Sequence, residues 1–69
     1  MSNLIKKSFR LEGHATSVAL EEEFWLALEQ IAASRYQPVA QLVAGIDQAR
    51  HGRNLASALR VFILSERAK

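Results

Sequence analysis

Between Gly13 and Glu21 the side chains alternate between two classes. One parity is β-branched or apolar and the other is small, which is the pattern of a β-strand with one buried face. The strand runs directly into three consecutive glutamates, whose negative charge suits the N-terminus of a helix. We therefore predict that one parity rests on a core and the other faces outward. The core parity comprises Thr16, Val18 and Leu20, and the outward parity comprises Ala15, Ser17 and Ala19.

The rest of the chain repeats its apolar residues with the 3.6-residue period of amphipathic helices. Helix A is predicted over residues 21–34. Helix B follows Pro38, which suits a first helical turn, and runs to about Arg50. Gly52 is a natural helix stop and Asn54 a good N-cap, so a third helix, C, is predicted from there to the C-terminal cations.

The residues before the strand are predicted to contribute little structure. Residues 1–7 are interpreted as a flexible basic arm, and residues 8–69 as a single domain. Phe9 and Leu11 alternate with polar neighbours and hint at an extended segment, which Gly13 interrupts as a bulge or bend. No second strand is predicted to pair with the first, so the fold class is mostly α.

A single strand leaves a row of N–H and C=O groups without partners. A chain of 69 residues with no cysteine also buries little surface by itself and has no disulfide to stabilise it. We therefore predict an obligate homodimer, with higher order possible, in which two copies share a two-stranded antiparallel ribbon. Whether helix C packs on its own chain or on the partner stays open. The residues expected in the dimer core are Thr16, Val18, Leu20, Trp25, Leu28, Leu42 and Ile46.

Charge and composition exclude several classes of function. The formal net charge is +2, and the first ten residues carry only cations. The consecutive glutamates point in different directions around a helix, so no metal site is predicted. With no cysteine and no glycine-rich phosphate loop, we expect neither an enzyme nor a cofactor or small-molecule substrate. No apolar run approaches the roughly 18 residues of a spanning helix. We therefore expect a cytoplasmic protein without a membrane partner.

The order of strand and helices resembles the ribbon-helix-helix family of bacterial DNA-binding proteins, the MetJ/Arc type. The motif Gly13-His14-x-Thr16-Ser17-Val18-x-Leu20-Glu21 and the later Asn54-Leu55-x-Ser57-Ala58-Leu59-Arg60 are similar to an uncharacterised bacterial branch with an added third helix. The resemblance implies a ribbon in the major groove of DNA and a role as a small transcriptional regulator. By position it implies base-facing Ala15, Ser17 and Ala19. It also implies phosphate contacts from the helix B amides of Val39 and Ala40. From the charge of the chain we expect further phosphate contacts from Lys6, Lys7 and Arg10.

This chain departs from the family pattern at the reading positions. The family commonly has Arg or Lys there, whereas two of the three positions here are alanine. Alanine offers no hydrogen bond and contacts at most a thymine methyl group. The alternative is therefore a dimeric protein–protein interaction module that has lost sequence-specific DNA reading.

Overall fold

The computed structural model describes residues 3–69 and shows two strands followed by three helices. The three predicted helices are confirmed, with bounds close to those expected. The elements are β1 (Leu4–Leu11), β2 (His14–Glu21), α1 (Glu22–Ser34), α2 (Val39–Gln48) and α3 (Leu55–Arg67).

The prediction that the chain has no second strand is wrong. Residues 4–11 form β1, which pairs antiparallel with β2 of the same chain. Residues 4–7 therefore belong to the sheet and not to a flexible arm, whereas residues 1–2 of that predicted arm lie outside the described part of the chain. Because β2 has a partner within one copy, its pairing does not require a second molecule.

A two-residue turn, Glu12 and Gly13, joins the strands, so Gly13 marks neither a bulge nor a bend. Both residues have positive φ, 51° and 83°. Positive φ at both central positions defines the hairpin turn whose twist matches that of the flanking strands. The sequence signal was present, since Glu12-Gly13 lies between two alternating runs. Lys7 obscured it by placing a charge at an otherwise apolar parity.

The helices cover one face of the hairpin and form a single core with it. The side chains of Leu20, Leu28, Val43 and Leu59 are each 0% exposed. Helix α3 contacts α1, α2 and β2 of its own chain, which answers the question of where it packs. Its start is capped as predicted, because the Asn54 side chain accepts a hydrogen bond from the Ser57 N–H at 2.8 Å.

Most of the residues expected in a dimer core are already buried within a single copy of the chain. The sequence-based argument that a second copy is needed to bury them is therefore wrong. Their burial against the chain's own helices needs no second molecule, because β1 and α3 complete the core. Only Thr16 and Ile46 of that set are half-buried. The fully buried members are Val18, Leu20, Trp25, Leu28 and Leu42.

Candidate nucleic-acid interface

The hairpin has two faces of different chemistry, and the register assigns every strand residue to one of them. Residues opposite each other on antiparallel strands point to the same face. The face against the helices carries the pairs Ile5–Leu20, Lys7–Val18, Phe9–Thr16 and Leu11–His14. The other, which we term the outer face, carries Leu4–Glu21, Lys6–Ala19, Ser8–Ser17 and Arg10–Ala15.

The outer face brings together the three predicted base-facing residues and two of the predicted phosphate contacts. Ala15 and Ser17 are exposed and Ala19 is half-buried. Lys6 lies opposite Ala19, and Arg10 lies opposite Ala15. Small side chains therefore line β2, and exposed cations stand beside them on β1. Such a surface can approach DNA closely, because Ala15, Ser17 and Ala19 are short side chains.

Polar groups between the cations complete the outer face. The hydroxyl oxygens of Ser8 and Ser17 are 3.0 Å apart and share a hydrogen bond across the strands. The Arg10 guanidinium donates from Nη1 to the Gly13 carbonyl oxygen at 3.2 Å, which leaves its other N–H donors for a ligand. Sequence reasoning missed Ser8 as a site residue. The alternation of Lys6, Ser8 and Arg10 at every second position was the signal that could have found it.

Lys7 does not join the other predicted phosphate contacts. Its side chain leaves the hairpin on the opposite face, where Nζ lies 3.6 Å from Glu29 Oε2. The same ammonium lies 5.2 Å from the centre of the Trp25 ring, a cation–π distance. Lys7 alternates with Ile5 and Phe9 on the face of β1 that lies against the helices. Its long aliphatic chain carries the ammonium group to the edge of the core.

The one carboxylate on the outer face is neutralised by a neighbour from α3. Arg60 donates to Glu21 Oε1 from Nη2 at 3.0 Å and from Nε at 3.3 Å. Hydrogen bonds from the Glu21 backbone and then from Arg60 lower the pKa of this carboxyl. Glu21 therefore stays charged at neutral pH, and the guanidinium of Arg60 on α3 balances its charge. Its charge does not offset Lys6 and Arg10 on the same face.

The remaining predicted phosphate contacts, Val39 and Ala40, lie at the start of α2. Pro38 precedes the helix, and no side chain caps it. The first N–H groups bonded to the Pro38 carbonyl are those of Gln41 and Leu42, at 3.1 and 3.2 Å. The N–H groups of Val39 and Ala40 thus belong to the unbonded first turn, where a helix holds anions best.

No group of three or more His, Asp or Glu side chains within residues 3–69 is placed to hold a metal ion. None of the helices formed there is long and apolar enough to cross a membrane.

Comparison with known proteins identifies the family of this fold. The chain matches the model of the ribbon-helix-helix domain family over residues 4–66. It is also similar to the solved structure of an uncharacterized protein from Bordetella pertussis Tohama I, with 40% sequence identity and a TM-score of 0.84. That similarity covers 97% of this chain and 58% of the Bordetella chain. The curated proteins include no match.

Proposed function

Because the chain belongs to the ribbon-helix-helix domain family, whose members are generally DNA-binding regulators of transcription, we propose that it is a homodimeric DNA-binding protein. It acts as a small transcriptional regulator and sets the outer face of its sheet against the major groove. The observation that carries this proposal is the composition of that face. Exposed Lys6 and Arg10 flank small residues there, and Arg60 neutralises the only acid.

The free edge of β2 is the surface on which two copies pair. In a hairpin with a two-residue turn, the closing pair is hydrogen-bonded and the bonded pairs then alternate. The N–H and C=O groups of Ala15, Ser17 and Ala19 therefore point away from β1. No charge and no proline protects residues 15–20, whereas β1 carries three cations. Natural proteins place charged residues or proline on strand edges that must not pair. The edge of β2 has neither between residues 15 and 20, so it is the edge that pairs with a second copy.

Pairing β2 with its copy gives a four-stranded antiparallel sheet whose two central strands fit the groove. Neighbouring strands are about 4.8 Å apart, so the outer β1 strands lie about 7 Å from the two-fold axis. The major groove is about 12 Å wide, which puts its walls about 6 Å from the same axis. The small residues of β2 then face the bases, and Lys6 and Arg10 stand over the phosphates.

Such a surface binds DNA mainly through charge. Alanine at two of the three base-facing positions removes hydrogen-bonded reading there, and Ser17 is the one reading hydroxyl on β2. The amides of Val39 and Ala40 add a phosphate contact beside the sheet. Affinity is accordingly sensitive to salt, and selectivity among sequences is modest.

The test compares two neighbouring lysines that lie on opposite faces. Binding of a labelled mixed-sequence duplex is followed by fluorescence anisotropy between about 50 and 200 mM salt, the range over which phosphate contacts weaken strongly. Lys6→Gln removes one phosphate contact from each copy. It should therefore reduce the slope of log K against log salt by about 2 for the dimer. Lys7→Gln removes the same charge from the other face and should leave most of that slope in place.

Equal losses in the two variants would show that only net charge matters and would overturn the assignment of the outer face. An absence of binding at about 50 mM salt would overturn DNA binding altogether. That result would favour the interaction module as the function of this domain.

A further inference from the structure

A groove between α2 and α3 contains no residue of the outer face. It consists of two adjoining depressions of about 500 and 310 Å³ that share Ile46, Ala49 and Phe62. The groove follows α2, whose 10 residues span about 15 Å at 1.5 Å per helical residue. Its floor is apolar and its length suits a helix of about three turns, so its dimensions match those of a helix-binding groove.

Gly45 opens the middle of this α2–α3 groove. It lies inside a helix, where glycine costs about 1 kcal/mol relative to alanine. Beyond its chain neighbours and the backbone of its own helix, a Cβ built on Gly45 would meet no atom of the described residues within 4 Å. The chain's own packing therefore gives no reason for glycine at this position. The space above it is open to another molecule.

One end of the groove is basic. Arg50 donates to Asp47 Oδ1 at 2.8 Å and to the Arg53 carbonyl oxygen at 2.9 Å. The side chains of His51 and Arg53 also line the groove, and neither has a hydrogen-bond or ion-pair partner among residues 3–69. Arg35 lines the other end, where its Nη2 donates to Glu66 Oε1 at 2.8 Å. Among the described residues, the cations without a partner therefore lie at the His51 and Arg53 end, and an apolar floor beside them fits a helix that carries acids next to an apolar residue.

The chain itself contains such a helix. The solvent side of α1 exposes Glu22, Glu23 and Glu29 around Leu26, which is 50% exposed. We term these four residues the α1 stripe. The opposite side of α1 is buried against the chain's own core, so the stripe points away from it. With 13 residues, α1 is about 20 Å long, enough to span the roughly 15 Å of the groove.

We propose that the α1 stripe of one copy docks in the α2–α3 groove of another copy. Leu26 enters the apolar floor beside Gly45, and Glu22 and Glu23 face the Arg50 and Arg53 end. The contact joins two different surfaces, so it links copies head to tail and adds to any pairing through β2. It uses no residue of the outer face. It goes beyond DNA binding and operates without DNA.

Gly45→Gln tests the groove without disturbing the fold. Glutamine is a good helix former and its side chain projects into the open space, where it blocks the incoming Leu26. Gly45→Ala is the matched control, because a methyl group leaves most of the space open. Sedimentation velocity over a range of protein concentrations measures assembly, and thermal unfolding by circular dichroism verifies that both variants fold.

Wild type and Gly45→Ala should gain mass beyond a dimer as concentration rises. Gly45→Gln should need about tenfold more protein to do so, as expected for an overfilled contact. If Gly45→Gln assembles like Gly45→Ala, the proposal is wrong. A wild-type mass that stays constant over the range also overturns it. An acidic helix from a different protein would then be the occupant to seek.

Charge exchange identifies the two partners of the contact. Glu23→Arg reverses a charge of the stripe and Arg53→Glu reverses one of the groove. Each variant alone should assemble about threefold more weakly, a typical effect of one exposed pair. An equal mixture should recover part of the loss, because the reversed stripe then meets the reversed groove. A mixture that assembles no better than its components would contradict the pairing of these two surfaces.

Discussion

The indole Nε1 of Trp25 donates a hydrogen bond to the backbone carbonyl oxygen of Ile5 at 2.8 Å. Trp25 lies on α1, only 2% exposed, and Ile5 lies on β1. The ring of Phe9, also on β1, packs with its centre 5.9 Å from that of Trp25. One side chain thus attaches the first strand to the first helix and fixes the position of the hairpin on the core.

Replacing Trp25 with phenylalanine should lower the free energy of unfolding by about 1–3 kcal/mol. The carbonyl of Ile5 loses a part-buried donor, and the smaller ring leaves space in the core. Urea denaturation followed by circular dichroism measures the loss. Tyr36→Phe is the control, since Tyr36 is 97% exposed and its hydroxyl should contribute less than about 0.5 kcal/mol.

Two glycines should respond to alanine in opposite directions. Gly13 has a φ of 83° in the hairpin turn, a conformation that disfavours alanine by about 1–2 kcal/mol. Gly45 has an ordinary helical backbone and open space, so alanine there should stabilise the fold by up to about 1 kcal/mol. Thermal unfolding of the two variants provides the comparison. Stabilisation of the fold by Gly13→Ala would contradict the turn.

Proline at Ser17 should weaken the dimer more than proline at Ser8. The two serines face each other in the hairpin, and the backbone N–H of each points to a free edge of the sheet. Proline therefore removes an edge donor from β2 in one variant and from β1 in the other. Sedimentation equilibrium should show a weaker dimer for Ser17→Pro alone. A greater loss with Ser8→Pro would move the interface to β1.

Stability should fall in acid partly because two carboxyls lose their partners. Hydrogen bonds from Lys69 and Arg35 lower the pKa of Glu66 below its ordinary value of 4.5, and the pKa of Glu21 is lowered as well. A lowered pKa in the folded state gives stability that is present above pH 4.5 and lost as the pH falls through the folded value. The double variant Glu21→Gln/Glu66→Gln should show a flatter loss between neutral pH and pH 3 than wild type. Glu12→Gln is the control, and denaturation at each pH is the measurement.

The helices and the outward parity of β2 were predictable because they depend on local patterns. A 3.6-residue period, an N-cap such as Asn54 and an alternation of small and β-branched residues act over a few positions. These patterns also sufficed for the resemblance to ribbon-helix-helix proteins, which the family match confirms.

The partner of β2, the direction of Lys7 and the α2–α3 groove were decided by tertiary packing. Lys7 occupies a position of β1 where the alternating pattern calls for an apolar residue, so the pattern did not predict a strand there. In the folded chain its charge is accommodated beside Glu29 and the Trp25 ring. The groove depends on how far apart two helices lie, and no short window of sequence encodes that distance. The preference for helix or strand depends on neighbouring residues in the sequence. Strand pairing and the groove between helices arise only when distant segments pack against the same buried surface.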